Sequence, residues 1–325
     1  MEIKREVVRF PSRDGRNRVF SEVFYPSGEI KGIVQFAHGM SDYGGRYSHF
    51  FEYLAANGYI AAYNDHLGHG KTVSSQKDLG FFSEKDGYKK LVEDFDKFYD
   101  ILDNKFPDLP HFVIGHSMGS FIVRCFLAGN KGDGAVLMGT GNKNPLAGLG
   151  VGLSGLLKVV QGKRRPSKFL TWLSFGTYNK RINDSQHQWA WLSTVPQAQQ
   201  DILDDQLRNK LFTTSAFQDL FYLAKYANSD EIISKTPKEM PLLFISGADD
   251  PLGSYGRGIV KLGASLEQRG FTQVETKIME NARHELCHER PEIRQEVFSY
   301  IVRWLDSVLE KSPKALAEPD AEPQE

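Results

Sequence analysis

The sequence predicts an α/β protein: a mostly parallel central sheet with helices on both faces and a helical cap inserted into the chain between strands. Short, almost wholly apolar runs such as Gly32–Ala37, His111–Gly115, Ala135–Met138 and Leu242–Ser246 read as strands buried on both faces. Segments with apolar residues three and four apart alternate with these runs, as helices covering such a sheet do. The alternation breaks once, from Gly141 to Lys238. That length is far beyond the roughly 12–15 residues of ordinary structureless connections, so the insertion must have its own folded elements.

Taken in order, Val7–Phe10 and Arg18–Tyr25 form an antiparallel hairpin with a turn at Asp14-Gly15. Tyr47–Ala56 is helical, with Phe50, Phe51 and Leu54 on one face, and Tyr59–Tyr63 is a strand. Gly87–Phe106 is a long helix carrying Leu91, Phe95, Phe98, Tyr99 and Leu102 at helical spacing. Met118–Ala128 is the next helix. After the interruption come helix Tyr255–Gln268, strand Val274–Met279 and helix Glu292–Leu309. The expected division is therefore a core of residues 1–140 and 239–311, a helical cap of 141–238, and a disordered tail of 312–325. The tail is rich in Pro, Ala and Glu and has almost nothing to bury.

Forty lysines and arginines balance 41 aspartates and glutamates. That balance leaves no bulk field to attract nucleic acid or an anionic membrane, so no nucleic-acid partner is expected. Cys125 and Cys287 have no paired spacing and read as free thiols in a reducing compartment. The N-terminal residues lack the apolar stretch of a secretory signal, and no run approaches the ~20 apolar residues that span a bilayer. A cytoplasmic location is the expectation.

Gly115-His116-Ser117-Met118-Gly119 fits G-x-S-x-G, and the apolar run before it and the helical segment after it supply the context the motif needs. A serine hydroxyl is a weak nucleophile unless a tight turn presents it to a base. Small residues on either side let strand and helix approach, and the Met118 N–H then stands at a helix N-terminus where an oxyanion would form. His116 sits beside the serine along the chain and should point away from it, in a structural role.

Where a G-x-S-x-G turn carries a triad, the acid and then the histidine follow the serine in the chain. The run Leu242–Ser246 ends in Gly247-Ala248-Asp249-Asp250-Pro251. Asp250 is the preferred acid because Pro251 fixes the turn after it, with Asp249 as the alternative. Val274–Met279 ends in Glu280-Asn281-Ala282-Arg283-His284, which places His284 as general base. However, His284-Glu285-Leu286-Cys287-His288 also reads H-E-x-x-H, the zinc-peptidase pattern. That pattern needs a helix to bring both imidazoles to one face, and Pro291 disfavours helical geometry at Arg290. His66 and His69 are read as turn residues. After Gly32–Ala37 comes His38-Gly39-Met40, where glycine allows close backbone approach and Met40 would supply the second oxyanion N–H.

These motifs, with Arg46-Tyr47, Asp65-His66-Leu67-Gly68-His69-Gly70, Asp249-Asp250-Pro251-Leu252-Gly253 and Ala282-Arg283-His284-Glu285, stand in the order and approximate spacing of one family. The chain resembles the monoacylglycerol lipase/lysophospholipase-like branch of the α/β-hydrolases, also called serine aminopeptidase-like, over about Phe20 to Leu309. The resemblance implies the α/β-hydrolase fold and a capped hydrolase of apolar acyl esters, with neither metal nor organic cofactor. It supports Ser117, Asp250 and His284 as triad and Met40 and Met118 as oxyanion donors. Asp42-Tyr43 departs from the acidic-plus-His pair often seen after the oxyanion glycine, and the cap matches mammalian lipases poorly.

The expected partner is a lipid-like ester substrate. Phe169, Leu170, Trp172, Leu173 and Phe175, with the run Leu146–Leu157, are either a small core of the cap or an acyl tunnel with a surface for lipid aggregates or membrane. His38, Trp172, Phe175 and Leu252 are the candidate substrate contacts, His38 having a structural alternative. Lys163-Arg164-Arg165 is read as a solvated face, or else a contact for anionic headgroups. The competing readings are a serine peptidase on the same triad, an acyltransferase, a silent binding protein and a zinc peptidase. A peptidase would need a carboxylate for the substrate amine, with Asp184, Asp201, Asp204 and Asp205 as candidates.

Overall fold

The computed structural model describes residues 3–143, 147–183, 185, 187–208 and 211–311, so the expected tail of 312–325 lies outside the described residues. Strands β1 (Lys4–Pro11) and β2 (Arg18–Tyr25) form the expected hairpin, in register from Lys4 opposite Tyr25 to Pro11 opposite Arg18. β1 begins three residues before the expected Val7. It lies at the sheet edge, where the charged Lys4, Arg5 and Glu6 are tolerated because a strand with one partner keeps its outer face in water.

The rest of the sheet comprises β3 (Gly32–Ala37), β4 (Tyr59–Asn64), β5 (His111–His116), β6 (Gly134–Met138), β7 (Leu242–Gly247) and β8 (Val274–Met279). Its order is β1-β2-β4-β3-β5-β6-β7-β8, antiparallel through β1, β2 and β4 and parallel from β4 onward. β5, the strand that feeds Ser117, is central and buried throughout. Its residues alternate between faces as a strand requires. Val113 joins the core formed with α2 (Gly87–Lys105), α3 (Met118–Leu127) and α9 (Arg257–Glu267), whereas Phe112 and Ile114 join the core under α1 (Ser48–Ala56) and α10 (Pro291–Glu310).

Helix α10 starts at Pro291, one residue before the expected Glu292, and two other helix starts differ from expectation for local reasons. Tyr47 closes a 3-10 turn, Gly44–Tyr47, before α1 begins. Ser254, Tyr255 and Gly256 all have positive φ, so α9 cannot begin at Tyr255 and starts at Arg257. Between β6 and β7 stand the cap helices α4 (Ala147–Gln161), α5 (Lys168–Phe175), α6 (Pro196–Asp204), α7 (Thr214–Ala227) and α8 (Asp230–Lys235). Phe217 and Leu223 of α7 are fully buried in the same core as α2 and α3, which seats the cap on the sheet domain. Asp219 of α7 adds a polar anchor by accepting a hydrogen bond from the Tyr88 N–H in the first turn of α2. No described helix is long and apolar enough to cross a membrane.

Candidate active site

Ser117 occupies the turn between β5 and α3 with φ 54 and ψ −118, a conformation costly for a residue with a side chain. The neighbouring chain explains both glycines of the motif. A Cβ at Gly115 would lie 2.4 Å from the Gly119 carbonyl oxygen, and one at Gly119 would lie 2.0 Å from that of Ala37. Only glycine lets strand, turn and helix converge this tightly. The Ser117 N–H donates to Met138 O at 3.0 Å, which ties the turn to β6.

Asp250 is fully buried after β7, while Asp249 is exposed. Asp250 Oδ1 accepts from the Leu252 N–H at 2.9 Å and Oδ2 from Ser246 Oγ at 3.3 Å. Oδ2 also lies 2.9 Å from His284 Nδ1. That contact sets the proton of neutral His284 on Nδ1 and leaves Nε2 as the acceptor. Burial opposes charging His284, but the Asp250 carboxylate, helped by Glu285 and Asp42, outweighs it and raises the imidazole pKa. Gly139, at φ +55, leaves the room this ring needs, since a Cβ there would lie 3.2 Å from His284 Cε1.

A narrow pocket of about 40 Å³ is lined by Met40, Ser117, His284, Phe175, Trp189, Trp191 and Arg208, among others. The structure thus brings Ser117, His284 and Met40 to one cavity, with Asp250 behind the histidine. Gly39 approaches the serine so closely that a Cβ would stand 3.1 Å from Ser117 Cβ. Met118 opens α3, where N–H groups have no partner within the helix.

The four candidate substrate contacts are distributed differently. Phe175 lines the pocket. Trp172 is 66% exposed and lines a neighbouring cap cavity of about 510 Å³ with Thr171, Phe175, Trp189 and Leu211. Leu252 lies against Gly141 and is not among the residues lining the pocket. The His38 side chain is fully buried, with Nδ1 2.8 Å from Gly39 O and Nε2 accepting from the His66 N–H at 3.0 Å. It packs against His66 and His69, with ring centroids 4.1 and 5.1 Å away, and so braces the loop instead of facing substrate. His69 continues the brace, its Nε2 accepting from the Ser41 N–H at 3.3 Å. Burial drives the His38 and His69 pKa values down to about 4 and about 3.

His116 takes the structural place expected of it, with Nδ1 3.0 Å from Tyr47 Oη and Nε2 3.2 Å from His284 O. The H-E-x-x-H segment is not a helix face: Leu286–His288 is one 3-10 turn and Arg290 is extended. Its glutamate has another task. Glu285 bridges Arg46 at 3.0 Å and Arg208 at 2.9 Å, and Arg46 also pairs with Asp42 at 2.7 Å, all with side chains at most 7% exposed. Among the described residues, no three His, Cys, Asp or Glu side chains are grouped as metal ligands.

Sequence reasoning missed the tie between cap and histidine loop. Arg283 Nη1 donates to Ala190 O at 2.8 Å and Ser193 O at 2.9 Å, and the Thr194 N–H donates to Glu289 Oε1 at 3.1 Å. The ring of Trp191 lies 4.9 Å from that of His284. The spacing of Asp42 and Arg46, four residues apart beside the glycine loop, was a readable signal; Arg208 offered none. Lys163, Arg164 and Arg165 are exposed, the solvated-face alternative, and there Lys163 and Arg164 pair with Glu84 and Asp78 while Arg164 stacks on Phe81. Of the carboxylates considered for an amine, Asp201 and Asp204 bond Gln197 and Gln200 within α6, and Asp205 accepts from Tyr43 Oη. None of these three is among the pocket-lining residues, and Asp184 lies outside the described residues.

A family model described as serine aminopeptidase, S33, matches residues 28–291. The monoacylglycerol lipase of Mycolicibacterium smegmatis is 34% identical over 127 residues, which is 39% of this chain and 43% of that lipase. The match therefore spans less than half of that relative's length. Human monoglyceride lipase is 25% identical over 291 residues, covering 88% of this chain and 86% of its own. A thermostable carboxyl esterase from Bacillus coagulans, solved in complex with glycerol, superposes with a TM-score of 0.86 at 29% identity, over 94% of this chain and 99% of that one.

Proposed function

The chain belongs to the serine aminopeptidase (S33) family of α/β-hydrolases, and on that premise we propose that it hydrolyses carboxylic esters of apolar acyl groups, of the monoacylglycerol or lysophospholipid type, through an acyl-enzyme on Ser117. The observation that carries this reading is the 2.9 Å contact of His284 Nδ1 with buried Asp250, beside a serine held on a strained turn in the same pocket. His284 Nε2 takes the Ser117 proton as Oγ attacks the ester carbonyl, while Asp250 orients the ring and stabilises its cation. The oxyanion accepts from the Met40 and Met118 N–H groups, each donor being worth roughly 2.7–4 kcal/mol in such sites. The protonated His284 then gives its proton to the leaving alcohol, and water repeats the two steps to free the acid.

The acyl chain has a supported place. Phe175 and Trp189 line both the pocket and the 510 Å³ cap cavity, so they are the shared wall between them, with Trp172 and Leu211 beyond it. Leu149, Leu156, Val159, Val160, Phe169, Trp172 and Leu173, all on α4 and α5, are large apolar side chains facing water. Such a patch suits a transient contact with lipid aggregates or membrane. The buried, unpaired Cys125 and Cys287 favour a reducing, cytoplasmic setting. The family's name raises peptide cleavage as an alternative, but the pocket provides no uncommitted carboxylate for a substrate amine among the described residues.

Hydrolysis rates for p-nitrophenyl esters of increasing length, beside monoacylglycerol, lysophospholipid and aminoacyl-arylamides, test the reading. Ester turnover that rises with chain length and is lost in Ser117→Ala is expected. Faster arylamide than ester turnover contradicts it.

A further inference from the structure

Ser41 follows Met40, the candidate oxyanion donor, and has φ 55, in the left-handed region that residues with a side chain seldom occupy. Such a conformation persists only where its surroundings hold it. Two bonds do so here. The Ser41 N–H donates to His69 Nε2 at 3.3 Å, and the Ser41 carbonyl accepts from Arg208 Nε at 3.0 Å. Among the described residues, Arg208 is the only donor to that carbonyl.

Arg208 belongs to the cap, just past the end of α6 at Asp204, and is 3% exposed. Its Nη2 donates to Glu285 Oε1 at 2.9 Å, and Glu285 follows His284. The other oxygen of Glu285 pairs with Arg46, which pairs in turn with Asp42, next to Ser41. Ser41, Arg208, Glu285, Arg46 and Asp42 thus close a ring that joins the residues following the oxyanion donor and the base. Arg208 is its one member from the cap. A planar guanidinium sets both of its acceptors at a fixed separation, which a lysine ammonium does not.

The two loops depend on Arg208 unequally. The histidine loop has further ties to the cap: the Glu285 N–H donates to Leu192 O at 2.6 Å, and Arg283 Nη1 donates to Ala190 O and Ser193 O. On the glycine loop, Arg46 and Tyr47 Oη pin Asp42. Release of the Ser41 carbonyl would therefore be taken up on the other side, at Met40.

On the ester-hydrolase reading above, we propose that Arg208 is a positioning residue through which the seated cap holds the Met40 N–H in place for the oxyanion. Arg208 then controls stabilisation of the oxyanion and not the binding of substrate. An interaction made only in the transition state changes kcat and leaves KM alone.

The test measures kcat and KM for a soluble p-nitrophenyl ester, and Ki for an alkyl trifluoromethyl ketone, on the full chain as wild type, Arg208→Lys and Arg208→Met. Ser117 Oγ adds to the carbonyl carbon of the ketone, its proton passes to His284, and the carbonyl electron pair becomes an oxyanion in the hole. Arg208→Lys keeps the buried charge beside Glu285 but loses the two-point hold. Its kcat should fall by roughly tenfold to a hundredfold, the scale of a misplacement of about 1 Å, with KM within roughly twofold of wild type. Its Ki should rise in proportion to the loss in kcat/KM. Arg208→Met should lose at least as much, and Arg208→Lys keeps the test available if Arg208→Met does not fold. A KM that rises while kcat holds would make Arg208 a direct substrate contact and overturn the positioning role. Full kcat in folded Arg208→Lys overturns it too, as does a loss of kcat that leaves Ki unmoved. A wild type that hydrolyses no ester overturns both the positioning role and the ester reading.

Discussion

His284 Nδ1 and Asp250 Oδ2 stand 2.9 Å apart, with the histidine 2% exposed and the aspartate not at all. In so dry a setting, the carboxylate decides both the orientation of the ring and its proton affinity.

A base must be neutral to act, and Asp250 raises the His284 pKa above the ordinary 6.5. Activity should therefore be full at high pH and fall as pH drops through that raised value. Asp250→Asn should move the acid limb of kcat/KM to lower pH and reduce kcat by roughly 10⁴, as loss of this partner does in comparable triads. A pH–rate profile of both proteins checks the two effects. An unmoved acid limb would assign the titration to another group.

Two glycines should fail for different reasons. At Gly119 an added Cβ meets backbone, 2.0 Å from Ala37 O, so Gly119→Ala should lower stability by roughly 1–3 kcal/mol or more. At Gly139 it would instead meet the His284 ring at 3.2 Å, at a φ of +55. Gly139→Ala should cost roughly 1–2 kcal/mol in folding and up to roughly a hundredfold in kcat/KM from the displaced base. Thermal melts beside ester kinetics separate the two cases.

The Asp42–Arg46–Glu285–Arg208 cluster is buried throughout, and removing one member strands another charge. Arg46→Ala should destabilise by roughly 3–5 kcal/mol in denaturant titrations at neutral pH. Burial resists charging Asp42 and Glu285, but Arg46 and Arg208 outweigh it and hold both carboxyls well below their ordinary range. Their stabilisation is thus present above the ordinary carboxylate pKa and lost as pH falls toward the depressed values. The difference between wild type and Arg46→Ala should shrink in acid.

How much of this was legible depends on how far apart the interacting residues lie in the chain. β3, β5, β6 and β7 were readable because a strand buried on both faces must be apolar along its whole length. Ser117 was readable because strand, turn and helix are consecutive, and Asp250 was separable from Asp249 through the adjacent Pro251. The surroundings of His38 were not legible because its partners, His66 and His69, are 28 and 31 residues away and only the fold brings them together. Arg208 was invisible for the same reason: its partner Glu285 is 77 residues distant. The cap's apolar residues announced themselves, but not their direction; Leu170 is buried while Trp172 and Leu173 face water.

That outward face carries its own expectation. Val159→Glu with Val160→Glu, on positions 81% and 73% exposed, should leave hydrolysis of a soluble short ester intact and weaken turnover of monoacylglycerol presented in vesicles. Equal rates on vesicles would remove the lipid-contact role.

The central claim is that Ser117 is the nucleophile. Labelling with a fluorophosphonate, followed by mass spectrometry of the peptides, tests it most directly. One adduct, on Ser117, absent from folded Ser117→Ala and slowed in Asp250→Asn, is the predicted result. Undiminished labelling of Ser117→Ala, or an adduct on another residue with activity lost, would contradict it.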